Sequence, residues 1–270
     1  IYECVDMVFQ DNVATTSLWS DSWDGADIYY CENLTFENNL IDGFSYGMYI
    51  YDCEECLFSG NTITNSVWDA VEIYYSYYIE FSGNTVVTSY SDGLYIYSSE
   101  YLLIEDNTIS DHLYDGIYMS YTDYVIIGNN SISDVGEDGL YFYSCDYVLL
   151  YNGMFEDCGD YGIYASSYSM RWLIDGEALV RNCPVYFNGD VIVMDGGLLT
   201  LDFVSSFQVY DDCYDGIPAI VVEEGGVLDA TNTAFGGWME GLNGDSYLFD
   251  VFGELYMDNS AIYDAYQLYL

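Results

Sequence analysis

Residues able to do chemistry recur in this chain at fixed spacing. Asp69, Asp92, Asp115 and Asp138 are each 23 residues apart, and Asp24 precedes them; all five stand directly before Gly or Ala. Like charges stacked at a regular interval repel unless a counter-ion sits among them, and Ca²⁺ takes several carboxylate and carbonyl oxygens. The column is therefore an expected row of Ca²⁺ sites, with Asp69, Asp92, Asp115 and Asp138 as ligands; the alternative is that Asp-Gly simply makes turns. No organic cofactor is expected, because no Gly-rich phosphate loop, catalytic triad or zinc pattern is present.

Tyrosine forms a second set of columns. One is Tyr49, Tyr95, Tyr118, Tyr141 and Tyr164, beside it run Tyr51, Tyr74, Tyr97 and Tyr143, and a separate one is Tyr78, Tyr101, Tyr124 and Tyr147. Stacked phenol rings make an amphipathic surface that suits packing against a like subunit or binding of sugar rings. The same rings also stabilise a sheet by cross-strand contact.

Eight cysteines raise the question of disulfides. Cys31 and Cys53 share a register, Cys4 aligns with them by context, and Cys145 follows in the same column. Cys158, Cys183 and Cys213 each lie near a strand start. Stacked Cα atoms about 4.8 Å apart are within disulfide range. Cys31, Cys53, Cys158 and Cys183 are the candidates, against the alternative of buried free thiols. His112 is the only histidine; it falls on an apparent turn and is expected to be exposed, with no Ser or Cys partner.

What must position these side chains is a repeat. Gly-(Leu/Ile/Met)-Tyr recurs at Gly47, Gly93, Gly116, Gly139 and Gly162, with Ala70-Val71-Glu72 filling the one gap. A parallel column runs Asn38, Asn61, Asn84, Asn107 and Asn130. Within each unit apolar and polar residues alternate, as in Leu94-Tyr95-Ile96-Tyr97, so three short strands separated by Gly, Asn, Asp and Ser make one solenoid turn. The inward columns are apolar throughout: Met48, Val71, Leu94, Ile117, Leu140 and Ile163 form one, and Phe58, Phe81, Ile104, Ile127 and Leu150 another. The fold class expected is all-β, a right-handed parallel β-helix of 23-residue coils. One domain spans 1–270: regular coils over 1–169, longer irregular ones over 170–270, where Gly197, Gly226 and Gly253 are spaced more widely.

Charge sets the outer bounds. Forty-six acidic residues face only Arg171 and Arg181, Lys is absent, and the formal charge is -44. Nucleic acid and acidic lipid are excluded as partners, since both need Lys or Arg. Such self-repulsion requires salt or divalent cations, which suits a salt-adapted or Ca²⁺-titrated surface protein. No apolar run is long enough to span a membrane. Starting and stopping in mid-pattern, the chain reads as part of something longer.

The unit from Asn107-Thr108-Ile109 through Asp115-Gly116-Ile117-Tyr118 resembles the parallel β-helix repeat of the pectate-lyase-like superfamily, in particular its NosD-type and archaeal or bacterial surface proteins. The resemblance covers residues 20–170 well and the rest loosely. It implies the fold; its members include polysaccharide lyases and hydrolases, adhesins and filament components. Lyases of that family use Lys or Arg, which this chain lacks at the regular coils. The expectation is thus a non-catalytic extracellular module, a cell-surface, surface-layer or filament subunit that self-associates or binds other surface proteins. The alternative is a carbohydrate-binding or carbohydrate-cleaving β-helix.

Overall fold

The computed structural model describes all residues except 17–22, 211–217, 237–246, 264 and 270. Among the described residues there are strands and no helix, hence no helix long and apolar enough to cross a membrane. Each strand pairs in parallel with the strand one coil away. Three ladders result. The first stacks Ala26–Tyr29, Met48–Tyr51, Val71–Tyr74, Leu94–Tyr97, Ile117–Ser120 and Leu140–Tyr143. The second stacks Thr35–Glu37, Leu57–Ser59, Glu80–Ser82, Glu100–Glu105 and Asp123–Gly128. The third stacks Leu40–Asp42, Thr62–Ser66, Thr85–Ser89, Thr108–His112 and Ser131–Ser133.

Apolar residues of all three ladders meet in one continuous core. Met48, Val71, Leu94, Ile117, Leu140 and Ile163 are all 0 % exposed, so the inward column carries no water. The glycine column exists because the neighbouring coil comes too close for a side chain: a Cβ on Gly93 would lie 2.5 Å from the Gly116 carbonyl oxygen and 2.8 Å from His112 Nε2. From residue 163 the coils lengthen. Val191 pairs with Ile220 and Ile220 with Phe249, a spacing of 29 residues in place of 23, on the same uninterrupted solenoid.

Corners are made by residues in the left-handed region, where L side chains other than Asn and Asp are rare. One corner is Asn38, Gly60, Gly83, Asp106, Asn129 and Asn152. The residue after each corner, not the corner itself, forms the asparagine ladder. It therefore begins at Asn39, correcting the expected Asn38, because the second coil has 22 residues. Asn39, Asn61, Asn84, Asn107 and Asn130 are buried. Each backbone and side-chain amide donates to the Oδ1 of the next, as Asn84 does to Asn107 at 2.8 and 3.1 Å. Each side chain also donates to a main-chain carbonyl of the preceding coil, as Asn107 does to Phe81 at 2.9 Å. Every polar atom of the column is thereby satisfied inside an apolar core.

Cysteines complete the interior. Cys31, Cys53, Cys158 and Cys183 are buried thiols rather than the disulfides the register allowed. Cys53 hydrogen-bonds Cys56, and Cys158 bonds Cys183. Their Sγ atoms also donate to backbone carbonyls, Cys31 to Tyr29 at 3.3 Å and Cys183 to Arg181 at 3.2 Å. They act as small core side chains with a weak donor. Cys213 lies outside the described residues.

Candidate active site

The aspartate column is a hydrogen-bonded ladder. Asp69 Oδ1 accepts the Asp92 amide at 2.9 Å, Asp92 the Asp115 amide at 2.8 Å, Asp115 the Asp138 amide at 2.7 Å and Asp138 the Tyr161 amide at 2.8 Å. Asp92, Asp115 and Asp138 are buried. Burial pushes their carboxyls up, to about 8, about 7 and about 7, against the lowering effect of the backbone donors. Stacked like charges are thus relieved by protonation and backbone amides. Among the described residues no three His, Cys, Asp or Glu side chains converge so as to hold a metal ion.

The tyrosine columns fall where the repeat puts them. Tyr95, Tyr118, Tyr141, Tyr164 and Tyr186 stack with ring centroids 5.0 to 5.2 Å apart. They are half-buried, as are Tyr49, Tyr51, Tyr74 and Tyr97, while Tyr143 is exposed. Tyr78, Tyr101, Tyr124 and Tyr147 stack at 4.8 to 4.9 Å and are exposed. All four of these stand at a left-handed corner, a conformation costing about 1 kcal/mol that ring stacking offsets.

One residue of the first ladder breaks the aromatic column. Asp27 pairs with Tyr49, Tyr49 with Glu72, and Glu72 with Tyr95. Two acids two coils apart thus flank one tyrosine. Each has a carboxyl partner on its own coil, three residues upstream. Glu72 is hydrogen-bonded to Asp69, and Asp24 to Asp27. Desolvation first, then that hydrogen bond, pushes Glu72 up to about 8. Desolvation and the bond to Asp27 push Asp24 up to about 7. Glu72 is buried, and Asp27 Oδ1 is buried with no hydrogen-bond partner. Tyr46 and Tyr49 lie between the two pairs, and both phenols are raised by burial and by Glu72, Tyr49 to about 12.

An aromatic rim borders the acids. The Ser45 amide donates to the Trp23 carbonyl at 3.3 Å and the Trp68 amide to the Ser45 carbonyl at 2.8 Å. Trp23 and Trp68 therefore stand in register two coils apart, 84 % and 55 % exposed. The sequence signal for this site is a doublet: Trp23-Asp24-Gly25-Ala26-Asp27-Ile28-Tyr29-Tyr30 repeats as Trp68-Asp69-Ala70-Val71-Glu72-Ile73-Tyr74-Tyr75, 45 residues on. Of this group the 23-residue columns single out Asp24, Asp69 and the tyrosines Tyr49 and Tyr74, and pass over Asp27, Glu72, Trp23 and Trp68.

His112 is no turn residue. It is buried, with Nδ1 2.7 Å from Ser89 Oγ and Nε2 3.1 Å from the Val86 carbonyl oxygen. It shares its inward column with Ser66 and Ser89, whose small side chains leave room for the ring. The Val86 carbonyl can only accept, so Nε2 carries the proton and Nδ1 accepts from Ser89. Desolvation holds His112 down to about 4, so it is neutral. The Asp24–Asp27 and Asp69–Glu72 pairs do not include it. Arg181 is engaged elsewhere, with Glu156 at 2.7 Å and Asp202 at 3.2 Å.

Comparison with solved structures supports the architecture. The A-module of an Azotobacter vinelandii mannuronan C-5 epimerase, AlgE4, aligns with a TM-score of 0.52 at 10 % identity over 94 % of this chain and 75 % of that one. The A-module of AlgE6 from the same organism aligns at 0.55 and 15 %, over 86 % of this chain and 58 % of that one. The periplasmic alginate epimerase AlgG aligns at 0.47 and 16 %, over 86 % of this chain and 50 % of that one. The chain thus spans only half to three quarters of these proteins. A comparison with curated proteins finds no match. The expectation that the chain is not an enzyme is corrected here. These structures, together with a pectate lyase, Pel9A, are of polysaccharide-active enzymes, and missing lysines do not empty the regular coils of acid–base groups. The family described as "Right handed beta helix region" matches residues 4–86 and 69–235, and the chain belongs to it.

Proposed function

We propose that this protein is a carbohydrate-active enzyme that hydrolyses a glycosidic bond at the Asp24–Asp27 and Asp69–Glu72 pairs. The observation that carries the reading is the placement of two hydrogen-bonded carboxyl pairs on coils two apart, with Tyr49 between them and Trp23 and Trp68 on the rim. Two inter-strand steps put the backbones of the two pairs about 9.6 Å apart. Inverting glycosidases hold acid and base about 6.5–9.5 Å apart to leave room for a water. Glu72, protonated at neutral pH, gives its proton to the glycosidic oxygen as that C–O bond breaks. The ionised member of the Asp24–Asp27 pair takes a proton from the water that adds to the anomeric carbon. Asp69 positions Glu72 by accepting its hydrogen bond.

The substrates named for the similar structures do not carry over easily. Alginate and pectate are polyanions, and a chain of net charge -44 with two arginines repels them. A glycan without acid groups fits better. A polymeric substrate also suits a site of action outside the cytoplasm.

Release of reducing ends from a panel of non-acidic glycans tests the reading. Wild type is expected to release them, and Glu72→Gln to lose at least about 100-fold in rate with an unchanged melting temperature. Activity should fall as pH rises through about 8, where Glu72 gives up its proton. A variant as active as wild type would remove Glu72 from the mechanism, and a blank panel would remove the hydrolase reading.

A further inference from the structure

The same site has a rim and a charge that the hydrolysis reading leaves unused. Trp23 and Trp68 are among the most exposed apolar side chains of the protein, yet they are locked in register through Ser45. Their backbones are about two inter-strand steps apart, roughly 10 Å. The residue between them is the small Ser45, so a slot one ring thick separates the two indoles. At the foot of the slot lie Asp24, Asp27, Asp69 and Glu72, and Asp27 Oδ1 is buried with nothing to accept from. No cation of the protein approaches: Arg181 is paired with Glu156 and Asp202, and Arg171 pairs along the strand with Leu149 and Asp190, both coils away from the slot. A buried carboxylate oxygen without a donor calls for a donor from the ligand. Exposed indoles over carboxylates favour a ligand that is both ring-shaped and cationic. Neutral sugars would satisfy the indoles alone, and acidic sugars would be repelled.

We propose that the Trp23–Trp68 slot binds a protonated amino sugar, so that the substrate is a cationic, amino-sugar-containing glycan. This rests on the hydrolase reading for turnover, but binding alone can be tested apart from it. In the bound state one ring lies between Trp23 and Trp68, and its ammonium donates to Asp27 Oδ1 and to an ionised neighbour among the four carboxyls.

The test is calorimetric binding to the whole chain of three hexasaccharides, from glucosamine, N-acetylglucosamine and glucose, with reducing-end release followed in parallel. The expected result is tight binding of the glucosamine hexamer only, weakened at least about tenfold by Trp68→Ala, by Trp23→Ala and by Asp27→Asn. Trp68→Phe should recover part of the loss, and quenching of tryptophan fluorescence in the wild type should report the same binding should an alanine variant fail to fold. Binding or cleavage of only the glucose or N-acetylglucosamine hexamer would overturn the amino-sugar inference and leave the hydrolase reading standing. Glucosamine-hexamer binding that none of the substitutions weakens would be general attraction of a polycation to an acidic protein, and would also overturn it. Binding of the glucosamine hexamer with dependence on Trp68, but no cleavage of anything, would uphold the slot and sink hydrolysis.

Discussion

Asp115 is a carboxyl that the fold both needs and strains against. Its Oδ1 receives the Asp138 amide, yet burial raises its pKa from 3.8 to about 7. Asp92, Asp138, Asp24 and Glu72 are raised in the same way, to between about 7 and about 8. Each of these acids holds its proton more tightly folded than unfolded. The folded state therefore binds more protons between about pH 4 and about pH 8, and stability falls as pH rises through that window. His112, lowered from 6.5 to about 4, acts in the opposite sense between those two values. It is one group against five, so the acids decide the slope. Melting temperature should be higher near pH 5 than near pH 8. Asp115→Asn keeps an oxygen for the Asp138 amide and removes the charge. At pH 8 it should stabilise by about 2 kcal/mol, a discounted share of the full shift, and flatten the pH dependence. A variant that melts lower than wild type at pH 8 would contradict the assignment.

At the scale of the element, what holds one coil on the next is the asparagine ladder together with the apolar columns. Asn107 donates to Asn130 and Phe81 and accepts from Asn84, all in the core. Asn107→Ala leaves the Asn84 side-chain amide and the Phe81 carbonyl unpaired, and should cost about 2–4 kcal/mol in urea unfolding. A loss below 0.5 kcal/mol (about the scatter of surface changes) would mean the ladder is decorative. This column was readable in the sequence because Asn recurs every 23 residues, but its first member was misplaced by one position. A 22-residue coil shifts the register there, and the left-handed corner Asn38 sits next to the ladder residue Asn39. Core columns were legible for the same reason, since each side chain repeats a neighbour's environment. The site was not. Glu72 reads as a gap in a tyrosine column, and its relation to Asp27 appears only at twice the period. His112 escaped because a histidine among serines gives no apolar signal, although the column it joins is buried. The cysteines were placed on stacked coils correctly, but stacking permits a disulfide without requiring one.

Over the whole molecule the dominant quantity is the net charge of -44. Buried acids carry little of it near neutral pH, since Asp92, Asp115 and Asp138 are largely held protonated. The rest lies on the outside of the solenoid, with Arg181 neutralising only Glu156 and Asp202 at close range. In an elongated solenoid each coil touches only its neighbours, so charge repulsion acts along the axis against the stacking that makes the core. The Debye length shrinks from about 10 Å at 0.1 M salt to about 3 Å at 1 M, less than the step of about 4.8 Å between coils. Added NaCl should therefore raise the melting temperature steadily over that range, by about 10 °C or more if a few kcal/mol of repulsion is screened. CaCl₂ at matched ionic strength separates screening from binding: equal melting points mean screening alone, and a further rise that EDTA reverses means Ca²⁺ is held at sites. A melting temperature flat from 0.1 M to 1 M NaCl would show that the surface carboxylates are neutralised in some other way, and the account of the fold as limited by its own charge would have to be abandoned.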